Sequence, residues 1–222
     1  RGVNTIIEMV NHTRLDCAIA SAALMRQAVT QAIHHAKHRA AFGKLLIDQP
    51  LMRNVLADLL IESEAATLLM IRLAKAFDAR GADPGERAFA RVATAIAKYW
   101  LCKRVPAHVG EALECLGGNG YVEESIMPRL YREAPLYSIW EGSGNVICLD
   151  ILRALAKERG SVDALANEIC QGISHDTRFD RFTEDIRADL AQAQTGAVAE
   201  DQARRLAEKL ALALQASLLI RF

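Results

Sequence analysis

Apolar residues recur along this chain at helical spacing for most of its length. From Thr13 to Ala41, Leu15, Ile19, Ala22, Val29, Ile33 and Ala36 fall on one face and predict a long helix. Phe42-Gly43 follows, with the glycine in the position that ends helices. Pro50 opens a second helix that runs to about Ala79. Its apolar set is wide (Leu51, Val55, Leu59, Leu60, Leu68, Leu69, Ile71, Leu73), so it predicts cover on more than one side. The stretch "RGADPGE", residues 80–86, is a loop by composition. A third helix runs from about Glu86 to Leu116, with Phe89, Val92, Ile96, Trp100, Val105, Val109 and Leu113 in step and Pro106 as a candidate kink. The glycines of 117–120 break it. A short helix around Pro128 to Glu133 and a longer one from about Asn145 to Glu158 complete the set.

The pattern is that of an all-α, antiparallel four-helix bundle. Past Gly160 the chain stays helical through "SVDALANEIC", "RFTEDIRADLAQA" and "EDQARRLAEKLALALQASLLI". The expected organisation is therefore a bundle domain over 1–158 and a helical C-terminal extension over 159–222. No strand-like alternation, repeat or low-complexity tract is present.

Composition narrows the function classes. The 222 residues carry 27 Lys+Arg against 27 Asp+Glu, so no global field draws the chain to nucleic acid or anionic lipid. Beyond Leu155, nine Lys/Arg face eleven Asp/Glu, the wrong balance for a duplex-binding tail. The five cysteines are odd in number and scattered without a CxxC, which fits reduced thiols in a cytosol. No apolar run is long enough to span a bilayer, so no membrane role is expected. The chain begins at Arg1 without Met, already near a helical pattern, and is expected to be part of something longer.

Four stretches carry candidate chemistry. "HHAKHR" places His34 and His38 at i and i+4, a zinc-compatible spacing with no third ligand nearby, so no metal is expected. Arg39 and Phe42 in "HRAAFGK" read either as a helix-terminal charge and its neighbour or as an arginine aimed at phosphate. "LGGNGY", residues 116–121, lets backbone approach a ligand closely or simply makes a tight turn. In "IWEGSGN", Ser143 or Asn145 is a candidate helix cap, and Glu141 is either an ordinary acid near the helix start or a base held on a bend.

"HRAAFGKLL", "LECLGGNGYVEESIMPRLYREAP" and "IWEGSGN" occur in this order from about Thr13 to Leu155. Together they resemble the C-terminal helical domain of the flavin-dependent acyl-CoA dehydrogenases, with "NGYVEES" and "SIWEGSGN" most similar to the alkylation-response branch. The resemblance implies that Glu141 is the catalytic base. It implies that Arg39, Phe42 and the 117–120 turn, with Gly117 and Gly118, contact FAD of a neighbouring subunit, and that Ser143 and Asn145 touch the flavin nucleotide. Arg14 in "HTR" matches a position at the acyl-CoA end. Glu114 stands where many relatives have Gln. Pro50 stands where they often have a FAD-contacting Gln, with Gln49 next to it. Trp140 replaces the usual Tyr and narrows the substrate pocket.

The chemistry so implied is α,β-dehydrogenation of an acyl-CoA thioester. A carboxylate in water is a poor base, and Trp140 is expected to keep water from Glu141. The implied partners are acyl-CoA, a second copy of the chain sharing FAD sites, and an electron-acceptor protein. DNA is a further candidate from the same branch, against which the tail charge speaks. The alternative is a structural oligomerisation module with a degenerate site, which a flavin spectrum separates from the first reading.

Overall fold

The computed structural model describes residues 2–158 and 160–222. Arg1, and Arg159 at the boundary drawn from the sequence, lie outside the described residues. Nine helices are present among them: α1 Gly2–His38, α2 Pro50–Ala79, α3 Pro84–Glu114, α4 Gly118–Tyr121, α5 Met127–Glu133, α6 Gly144–Lys157, α7 Ser161–Cys170, α8 Thr177–Gln194 and α9 Ala203–Arg221.

Cross-helix contacts fix the directions. Ser21 Oγ meets Cys102 Sγ, and Arg14 and Arg91 share Asp150, so α1 and α3 run parallel. Arg72–Glu86 and Glu62–Arg104 pairs, with His108 Nε2 on the Leu59 carbonyl at 2.9 Å, set α2 antiparallel to α3. The Asp150–Arg91 pair, with Gly144 lying against Lys103 and Tyr99, sets α6 antiparallel to α3. The result is an up-down-up-down bundle.

α3 lies at its centre. Pro84 occupies the first turn, and Asp83 caps the helix by accepting from the amides of Gly85 and Glu86. Large residues (Phe89, Ile96, Leu101) alternate with Ala90, Ala93, Ala97 and Ala112, and the small positions let neighbouring helices close in. α3 runs as one helix through Pro106. The later helices share this core. Leu165, Ile169, Leu210 and Leu214 belong to the same buried cluster, and the Trp100 indole N–H donates to Gln215 Oε1 at 2.9 Å.

Three sequence expectations are corrected. α1 begins at Gly2, well before Thr13; Val3, Ile6, Ile7 and Met9 are exposed there, so no core-facing stripe marks that part. α1 ends at His38, and Ala40–Ala41 pairs with Lys44–Leu45 in a two-residue hairpin, β1 and β2. Phe42 (φ +53) and Gly43 (φ +83) form its turn, so Gly43 does not cap a helix. Both central residues are left-handed, as the twist of a two-residue hairpin demands. α6 starts at Gly144; Ser143 occupies its cap position without a side-chain cap bond, and Asn145 lies inside the helix. The breadth of α2 is visible in Leu51, Ile61 and Ile71, all exposed.

Candidate active site

The bend before α6 is strained at Glu141. Glu141 adopts φ +57 and Gly142 φ +109. A left-handed non-glycine residue costs about 1–2 kcal/mol. Gly142 tolerates its conformation, and a Cβ there would stand 3.0 Å from Ile147 Cδ1.

Two cations hold this bend by its carbonyls. Arg14, on α1, donates from Nε to the Glu141 oxygen at 3.1 Å. Lys98, on α3 and 1% exposed, donates from Nζ to the Gly142 oxygen at 2.5 Å. A hydrogen bond to a charged group is worth about 1.5–3 kcal/mol net, so either one offsets the strain.

Arg14 is itself fixed, because its other arm donates to Asp150 Oδ2 at 2.8 Å. Arg91 grips the same carboxylate at 2.8 Å and reaches Glu158 at 2.9 Å. Burial would raise the Asp150 carboxyl, but the hydrogen bonds and charges of Arg91 and Arg14 outweigh it and hold it below the usual range. Burial pushes Lys98 below the ordinary lysine value, a shift that the neighbouring Cys102, Cys17 and Glu141 oppose.

The Glu141 side chain is half-buried. Trp140 stacks edge-on with Tyr137 at 5.8 Å, yet it is 47% exposed. It therefore does not seal Glu141 from water within this chain, contrary to expectation. Asn145 Oδ1 accepts from Arg204 of α9 at 2.8 Å.

The sequence-derived residues fall into two groups. Arg14, Trp140, Glu141, Ser143 and Asn145 gather around the bend. Arg39, Phe42, Gln49, Glu114, Gly117 and Gly118 lie at the opposite end, where α1 and α3 finish. From Arg14 to His38 the helix rises roughly 36 Å at 1.5 Å per residue.

At that far end Phe42 is 97% exposed, and Arg39 makes no side-chain hydrogen bond or ion pair among the described residues. Gln49 donates to the Ala41 carbonyl at 3.2 Å and braces the hairpin. Gly117 (φ +60) and Gly118 are exposed, with nothing within 4 Å of where a Cβ would stand. Glu114 lines an adjoining cleft of about 680 Å³ with Tyr121, Val122 and Tyr131. His38 Nδ1 is engaged by the His34 carbonyl at 2.7 Å, and no metal-competent cluster of His, Cys, Asp or Glu occurs among the described residues. Among the described residues, no helix is long and apolar enough to cross a membrane.

Lys98, Asp150 and Arg91 were not found from the sequence. A signal for Lys98 existed: it stands in "AIAKYWL", inside an apolar run that leaves a lysine no route to water.

Residues 1–156 match the family model for the acyl-CoA dehydrogenase C-terminal domain. The chain is 46% identical over 211 residues to a putative acyl-CoA dehydrogenase, AidB, of Escherichia coli K12, covering 95% of this chain and 38% of that protein. In structure it is similar to Caenorhabditis elegans ACDH-11 in complex with C11-CoA: TM-score 0.87, 28% identity, 99% of this chain and 40% of that one. Against butyryl-CoA dehydrogenase of Megasphaera elsdenii the TM-score is 0.59 at 29% identity, covering 66% of this chain and 36% of that one. The chain thus spans about two-fifths of the length of these relatives.

Proposed function

The chain belongs to the acyl-CoA dehydrogenase family, as its C-terminal domain, and from that premise we propose that it supplies the base and part of the FAD site for α,β-dehydrogenation of an acyl-CoA thioester. The observation that carries this reading is Glu141 held left-handed by two cations, the buried Lys98 and the part-buried Arg14. An acid serving only as a helix-start charge needs no strained backbone, and such strain clusters where geometry serves chemistry.

The residues fit an anionic dinucleotide. Arg39 is unpaired beside an exposed aromatic, the Gly117-Gly118 backbone is open, and the first turn of α6 carries neither an acid nor a side-chain cap. FAD, when bound, is the two-electron acceptor for the β-hydride. The work of this chain is the other half. The Glu141 carboxylate takes the α-proton, and the C–H electron pair moves toward the thioester carbonyl as an enolate. Arg14 and Lys98 are committed to the base's backbone, which keeps the carboxylate pointed while the proton moves.

The two ends of α1 lie too far apart for one dinucleotide to touch both. The hairpin and glycine turn therefore serve the FAD of a second copy, and the working state is a twofold-symmetric homo-oligomer. The deciding experiment is Glu141→Gln in the intact flavoprotein. FAD should stay bound, and acyl-CoA-dependent flavin bleaching should slow by about a hundredfold or more. Bleaching near the wild-type rate would remove Glu141 from its role.

A further inference from the structure

We propose that Lys98 is the positioning residue for the base: its buried ammonium pins the Gly142 carbonyl and so holds Glu141 in its left-handed conformation. The inference rests on the reading of Glu141 given above and adds a residue to it.

Lys98 stands mid-way along the central helix, 1% exposed, among the buried Ile96, Leu101 and Cys102 of its own helix. A lysine in such a place costs desolvation and is kept only with a partner. Its partner is a main-chain oxygen of the bend, not a carboxylate. An ammonium that served packing alone would be replaceable by methionine, which fills the same path without a charge. The charged groups facing Lys98 are Arg14 and Glu141, with the Cys17 and Cys102 thiols beside them. Arg14 holds the adjacent carbonyl from α1, so two consecutive peptide oxygens are gripped from two different helices. That grip removes the rotations by which Glu141 would relax to an ordinary φ. Of the two, Lys98 has no hydrogen-bond acceptor except the bend among the described residues, whereas Arg14 also binds Asp150.

The test compares Lys98→Met and Lys98→Gln with wild type in the intact flavoprotein. Two readouts are used: hydrogen–deuterium exchange of the peptide spanning 139–147, and the rate constant of acyl-CoA-dependent bleaching. Lys98→Met should raise exchange in that peptide about tenfold or more, with α3 still protected. It should slow bleaching about a hundredfold while FAD content and substrate affinity hold. Lys98→Gln keeps an N–H donor and should stay within about tenfold of wild type. Unchanged exchange over 139–147 in Lys98→Met overturns the proposal. So does loss of FAD and helical signal in both variants, which would make Lys98 a folding residue. If wild-type protein is not bleached by any acyl-CoA, the reading of Glu141 as base fails, and the exchange data still decide what Lys98 holds.

Discussion

Replacing Glu168 by glutamine tests whether the last three helices are locked to the bundle by charge. Glu168 is 4% exposed on α7 and sits where α2, α3, α7 and α9 meet. Its carboxylate takes Arg72 Nε at 2.9 Å and Arg221 at 2.6 Å. Arg72 also holds Glu86 through two bonds of 2.8 and 3.0 Å and lies 4.1 Å over the Phe89 ring. Removing one partner of a buried pair costs about 3–5 kcal/mol. Arg72 keeps Glu86, and the new amide oxygen still accepts one bond, so the expected loss is at the low end, about 3 kcal/mol. For a chain of this size that is a fall in Tm of about 6–12 °C. Burial alone would raise the Glu168 carboxyl, but the bonds from Arg72 and Arg221 outweigh it and hold it low. A depressed folded pKa gives stability that is whole above the unfolded value and is lost as pH falls through the folded one. The gap between wild type and Glu168→Gln should therefore be full at pH 7 and close in acid, below the ordinary glutamate value of 4.5. Urea denaturation followed by far-UV circular dichroism measures both. A difference under about 1 kcal/mol at pH 7, or one that persists through acid, would refute the clamp.

Two further outcomes follow from burial and from the separation of the two groups of site residues. Burial pushes the thiols of Cys102, Cys115 and Cys148 up to about 11 and raises Cys17 as well, so the native chain at pH 8 should titrate rapidly with a thiol reagent only at the half-buried Cys170; fast reaction of two or more thiols would contradict the packing. In the intact flavoprotein, light scattering should report a dimer or larger assembly, and Arg39→Glu should weaken FAD retention without loss of helix; a monodisperse monomer that holds FAD would remove the shared-site model.

The long helices were legible because a core-facing stripe repeats wherever a helix packs. Pro50 marked the start of α2, whereas the third helix, expected from about Glu86 after a loop over 80–86, begins at Pro84, because Asp83 caps it and Pro84 fits a first turn. The same logic explains the misses. Before Thr13 the apolar residues of α1 face solvent, so periodicity toward a core had nothing to report. The hairpin at 40–45 is too short for alternation, and Phe42-Gly43 matched a helix stop as well as a turn. At the candidate site, "IWEGSGN" located the bend, but its conformation was out of reach. A left-handed glutamate leaves no mark in its own residue type, because the cause lies in partners distant along the chain.

Those partners also explain why the site has this form. The link from Arg14 to Asp150 spans 136 positions, and Lys98 reaches Gly142 across 44. Neither α1, α3 nor α6 could hold Glu141 alone. α6 presents the bend, α1 and α3 each supply one cation, and Asp150 on α6 ties Arg14 and Arg91 back to the helix that the bend begins. The geometry of the acid is thus a property of three packed helices, so a core change that shifts α1 against α3 should act on Glu141 without touching it. The strain of the bend, about 1–2 kcal/mol, is small beside the burial that aligns these helices. That disparity allows a bundle with ample apolar core to carry one unfavourable conformation at the position proposed for the base.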